Sequence, residues 1–266
     1  MMRSLNRATL AAGGFILFFA CFVLPLGAQT AGAPTPAKNE KTVEEAYLQE
    51  SLENMVIVEQ SKAESKDMKL VALQYIKQAM DGGRKNIEIQ NSLAFLATEG
   101  TFTIIRTGGY GKPTNNFPDI RAKACDYLGE FQTVEAKDTL IRVTLADNEP
   151  MVLSAAIRSL GKIGMNDNDE VVQVICYIVN RFDILMPDNS LAFESLVAIE
   201  RLADKNGGIK DPAVIKSVMR IASGNYIKPV KDKANDLLSK LRKYASTNQA
   251  TVAIPGGNPT GPSANP

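Results

Sequence analysis

Between residues 42 and 245 the apolar side chains recur every three or four positions, and the strict alternation of a strand is almost missing. Val171, Val174, Ile175, Ile178 and Phe182 form one such series. That spacing places them on one face of a helix. Helices are predicted on the same grounds near 67–80, 133–146, 168–182 and 211–223. Their starts carry Asp, Asn or Pro, as in Pro118-Asp119, Glu149-Pro150, Asp211-Pro212 and Pro229. Proline at a first helical position forfeits no hydrogen bond, because that N–H has no partner in any case.

Four further segments fall into one register: IRAKACDYLG (120–129), VLSAAIRSLG (152–161), ESLVAIERLA (194–203) and VKDKANDLLS (230–239). Each has alanine at the fifth place and leucine at the ninth. A weaker fifth copy is IQNSLAFLAT (89–98), and the starts stand 31, 32, 42 and 36 residues apart. Residues four apart share a helix face. The small one admits a neighbouring helix, and the large one fills the groove beside it. The repeating unit is therefore a helix, a turn and an Ala/Leu helix.

This pattern resembles HEAT repeats, in particular the short HEAT-like type of phycobilin-lyase-related proteins. The segments PDIRAKACDYLGEF (118–131) and EPMVLSAAIRSLGKIG (149–164) carry the resemblance best, and it extends over 67–244. The family often has an arginine one place after the first apolar position. Arg121 fits, whereas Gln90, Leu153, Ser195 and Lys231 depart from it. The resemblance implies an all-α fold, a right-handed α-solenoid of about five HEAT-like helix pairs with an N-terminal capping helix. It also implies a surface that binds macromolecules, usually without catalysis.

The ends read differently. Arg3 and Arg7 precede the apolar run ATLAAGGFILFFACFVLPLGA, so residues 1–28 are predicted to be a signal peptide or an uncleaved membrane anchor. Cys21 lies in a poor lipobox, because Phe22 follows it. Residues 29–41 read as a linker. The uncharged tail 246–266, rich in proline and glycine, is predicted to be disordered.

The chain of 266 residues has no histidine and no tryptophan, which excludes His-based triads, Cys-His pairs and His-ligated metals. Its net charge is +1, and loss of Arg3 and Arg7 would leave −1, so nothing calls for a nucleic-acid partner. Cys125 and Cys176 are expected on helices about one and a half repeats apart, hence as free thiols. In NDNDE (166–170) the glycine and distal glutamate of a calcium loop are missing, so Asp167, Asn168 or Asp169 is expected to cap a helix. No cofactor or metal site is expected.

The stretch FTIIRTGGYGKPTNNFPDIR (102–121) has the glycines of a phosphate loop but not their spacing. Arg106 stands where the first glycine belongs, and Pro113 replaces Ser/Thr. TIIR (103–106) matches TLIR (139–142), and each precedes a helix-opening proline. That match predicts an intra-repeat turn lengthened by four residues. Long turns within compact arrays are often functional. The candidate partner-binding residues are Tyr110, Lys112, Phe117 and Arg121, with Arg158 on an Ala/Leu helix.

Charge is uneven. Residues 44–67 carry a net −5 and residues 228–243 a net +4, which allows weak head-to-tail self-association. The function expected is a non-enzymatic exported scaffold or adaptor for bacterial envelope proteins, periplasmic or inner-membrane-anchored facing the periplasm. The alternative is a membrane- or cell-wall-associated binding module held by an uncleaved N-terminal helix.

Overall fold

The computed structural model describes residues 42–102, 104–106, 111, 113–185 and 187–251. The leader and linker expected over 1–41, most of the tail, and the candidates Tyr110 and Lys112 lie outside the described residues.

Ten helices are found among the described residues, and they form five pairs. These are α1 (Val43–Lys62) with α2 (Lys66–Asp81), α3 (Ile87–Thr98) with α4 (Pro118–Leu128), and α5 (Val134–Ala146) with α6 (Pro150–Ile163). The last two are α7 (Glu170–Leu185) with α8 (Asn189–Asn206) and α9 (Ala213–Ser223) with α10 (Lys228–Thr251). The first members of the pairs stack on one another as one layer and the second members as another. A single apolar core runs between the layers from Ile57 to Leu241. This is the HEAT-like α-solenoid expected from the sequence.

Local chemistry sets the helix starts. Asn86, Thr133 and Asp188 each accept a hydrogen bond from the backbone N–H three residues on, as N-caps do. Pro118 and Pro150 open α4 and α6. At the far end α10 continues to Thr251, past the boundary at 245, because no proline or glycine interrupts the chain before Pro255.

The Ala/Leu register governs the second layer. Ala124, Ala156, Ala198 and Ala234 are buried, with Leu128, Leu160, Leu202 and Leu238 beside them. A Cβ added at Gly161 would stand 2.7 Å from the Cα of Ala198, and one at Gly129 would stand 2.6 Å from Oγ of Ser159. So α4, α6 and α8 meet almost backbone to backbone.

The weak copy at 89–98 belongs elsewhere. It is α3, a first-layer helix, where Leu93 and Ala97 occupy the two places in reverse order. The true second-layer member of the first pair is α2, whose segment MKLVALQYIK puts Ala72 fifth and Ile76 ninth. The N-terminal helix expected as a cap is thus also the first half of pair one.

Two smaller expectations are refined. Asn166, not a following residue, accepts the backbone N–H of Val172 and caps α7. Asp169, left-handed at φ 60, instead accepts the N–H groups of Lys210 and Asp211, both at 2.8 Å, and ties the fourth pair to the fifth. Cys125 and Cys176 are free and buried, and burial pushes the Cys176 thiol up to about 11.

Candidate interaction site at the long turn

Helices α3 and α5 are equivalent residue by residue. Three, four, seven, ten and eleven places after their caps, Ile89, Gln90, Leu93, Leu96 and Ala97 are buried in one. Ala136, Lys137, Leu140, Val143 and Thr144 are buried in the other. From cap to opening proline, however, the chain takes 32 residues in the first case (Asn86 to Pro118) and 17 in the second (Thr133 to Pro150). The insertion is therefore 32 − 17 = 15 residues, not four. The match of TIIR with TLIR misled because TLIR lies inside α5, whereas Ile104, Ile105 and Arg106 lie beyond the end of α3.

Gly100 turns the chain away from α3 at φ +77, and a side chain there would place Cβ 2.5 Å from the carbonyl oxygen of Asn115. The two stems of the turn thus touch. A single side chain holds both. Arg121 donates from Nε to Oδ2 of Asp147 at 2.6 Å and from Nη2 to Oδ1 at 3.3 Å. Its Nη1 reaches Oδ1 of Asn116 at 2.7 Å and the carbonyl oxygen of Glu99 at 3.4 Å. Asp147 in turn accepts the N–H groups of Asn148 and Glu149. From the other side Lys69, fully buried, donates to Glu99 at 2.7 Å and to the carbonyl oxygen of Ser61 at 3.0 Å, 5.4 Å above the Phe95 ring. The insertion stands on two buried ion pairs, Arg121 with Asp147 and Lys69 with Glu99, each joined by further hydrogen bonds to the stems or the neighbouring helix.

Beyond the stems, Arg106 and Pro113 pair as an antiparallel bridge, and Thr114 N donates to the carbonyl oxygen of Ile105 at 2.8 Å. Phe102, Ile104 and Ile105 are each about half exposed, with Arg142 5.0 Å from the Phe102 ring centre. Between this turn and the ends of α1 and α3 lies a cleft of about 460 Å³, lined by Lys62, Phe95, Glu99, Ile105, Arg106 and Asn115. Apolar walls rimmed by charges of both signs suit a protein side chain.

The five candidate residues separate. Phe117 is half-buried against the core, with Lys66 6.0 Å from its ring centre. Arg121 is only 2% exposed, so it is corrected from a partner contact to the anchor of the turn. Arg158 lies apart on α6, where it bonds Asp126 of α4 and Glu194 of α8, both at 2.8 Å.

Arg158 belongs to a larger arrangement that sequence reasoning missed. At the seventh and eleventh places of the Ala/Leu register stand Asp126 on α4 and Glu130 just past its end, Arg158 and Lys162 on α6, and Glu200 and Asp204 on α8. Lys162 pairs with Glu130, and Lys233 and Lys240 of α10 pair with Glu200 and Asp204. Burial alone would raise the Glu200 and Asp204 carboxyls. Hydrogen bonds and charge from these lysines, with Tyr244 bonded to Asp204, hold both below their ordinary values. Alternation of sign at the seventh and eleventh places is present in the sequence across α4, α6 and α8; in α10 Asp236 holds the seventh place, and the cation facing Glu200 comes from Lys233 at the fourth and Lys240 at the eleventh.

No curated protein and no solved structure matches the chain. The family model described as HEAT repeats matches residues 114–179, from the end of the long turn through most of α7, so that stretch is similar to HEAT repeats, and the described helices on either side of it pack in a manner consistent with a HEAT-like α-solenoid.

Proposed function

We propose that this chain is an exported, non-enzymatic adaptor that holds bacterial envelope proteins through the long turn of its solenoid. HEAT repeats generally mediate protein–protein contacts, which supports protein partners. One observation carries the reading. The framework closes the equivalent α5–α6 turn in three residues, yet between α3 and α4 it spends nineteen and clamps both stems with Arg121. The clamped turn presents Phe102, Ile104 and Ile105 beside a cleft. Such placement is what a contact loop on a rigid scaffold requires.

Export to the periplasmic side rests on Arg3, Arg7 and the apolar run after them. No helix among the described residues is long and apolar enough to cross a membrane, so in this reading any tether is the N-terminal run. Two of the six cations behind the expected contact between unlike ends, Lys233 and Lys240, are paired with Glu200 and Asp204, which leaves Lys228, Lys231 and Arg242 as the basic groups such a contact would use.

A photo-crosslinking residue at Ile104, introduced in living cells, tests the reading. The expected result is a discrete adduct with an envelope protein that vanishes with Ile105→Asp. Adducts confined to cytoplasmic proteins, or none, would overturn it.

A further inference from the structure

The first helix breaks a rule that the last one keeps. Terminal helices of a repeat array need a polar outer face. On α10 the exposed positions are polar, among them Asp232, Asn235, Asp236, Ser239 and Arg242. On α1 they are not. Tyr47 is 72% exposed, and Leu48, Leu52 and Met55 are 61% exposed each, with Val56 beside them. The spacing 48, 52, 55, 56 makes one stripe. It lies opposite Ile57 and Ser61, the buried residues of the helix, and α2 and α3 cover only that buried side.

Charge says what covers the stripe. Glu53, Gln49 and Asn54 are engaged away from it, with Arg84 and Glu88. Glu44 and Lys62 make no ion pair among the described residues. They stand eighteen residues apart, five full turns of 3.6, so they lie on one line along the flank of the stripe. The midpoint of that line is residue 53, which is also close to the centre of the stripe. A second α1 laid antiparallel about that point meets Leu48, Leu52 and Met55 with its own. It also sets Glu44 of each copy against Lys62 of the other. Two such stripes together bury on the order of 1,000 Å², the lower edge of a specific interface. An anionic bilayer fits less well, because residues 44–67 carry a net −5 and its headgroups offer no cation to Glu44, whereas a second copy brings Lys62 to it.

We infer that two copies of this chain associate through α1, antiparallel and two-fold symmetric. The interface is isologous and closed, so it gives a dimer and never a filament.

The test is sedimentation equilibrium of the full chain as its host releases it, with vesicles of anionic lipid as a separate arm. The expected result is a dimer at micromolar concentration that persists at high salt, because apolar burial carries it. Leu52→Glu gives a monomer with an unchanged far-UV spectrum, since Leu52 faces away from the core. Glu44→Lys weakens the dimer by roughly three- to tenfold at low salt, and adding Lys62→Glu restores it. A mere relief of net negative charge would make Glu44→Lys strengthen association instead. A monomer at every concentration, a dimer indifferent to Leu52→Glu, or a monomer that co-sediments with vesicles would each overturn the inference.

Discussion

Replacing Arg121 by methionine removes the one side chain that holds both stems of the long turn and leaves Asp147 buried with a charge and no cation. Breaking a buried pair from one side costs about 3–5 kcal/mol. Asp147 keeps the N–H groups of Asn148 and Glu149, so the loss falls at the lower end, about 3 kcal/mol. For an array of this size each kcal/mol moves the melting temperature by about 2–4 °C, so the melt at 222 nm should fall by roughly 6–12 °C. Arg121→Lys should recover little, because an ammonium cannot reach Asp147, Asn116 and the Glu99 carbonyl as a planar fork does. The double variant Arg121→Met/Asp147→Leu should recover most of the loss, since no unpaired charge remains. Limited proteolysis adds a local reading: cleavage within 99–117 should accelerate in Arg121→Met under conditions where the rest of the chain stays intact. A melt within about 2 °C of the parent, or a coupling energy below about 0.5 kcal/mol between the two positions, would refute the claim that the pair anchors the turn.

Ala156→Phe drives a ring into the contact of α6 with α4 and α8 and should destabilise by about 1–3 kcal/mol; an unchanged melt would put the helix register in error. Replacement of 107–112 by Asn-Gly, which can close the Arg106–Pro113 bridge as a two-residue hairpin, should leave the melting curve unmoved, and loss of folding would show that the tip supports the core. Glu200 and Asp204 are held below their ordinary values of 4.5 and 3.8, so their stabilisation is present above those values and is lost as pH falls through the lower folded ones. The stability gap between the parent and Glu200→Gln/Asp204→Asn should therefore shrink in acid, and a gap constant from neutral pH downward would contradict this.

The helices were legible because amphipathic spacing and proline or Asx starts are local signals. Ala124, Ala156, Ala198 and Ala234 marked the second layer because close helix contact tolerates little else. The first pair was harder. Ile76 takes the place of leucine in α2, and α3 reverses the two residues, so a search on letters picked the wrong helix. The size of the insertion was misjudged because four matching letters say nothing about whether they lie inside a helix. Arg121 looked like a surface residue for a related reason. Its ion-pair partner, Asp147, is 26 residues away, and only the stacking of two turns brings them together.

The alternation of charge along the second layer restricts how this array can grow or shrink. Removing the third pair alone would bring Asp126 of α4, and Glu130 just past it, against Glu194 and Glu200 of α8, acid on acid. Copying it once would set Arg158 and Lys162 against their own duplicates. Like charges placed so are repulsive. Across α4, α6 and α8 a change of length by one unit sets like charges together, whereas insertion of two units of opposite sign keeps the alternation. These repeats are thus not interchangeable units, because each carries a sign and the odd and even members are distinct parts.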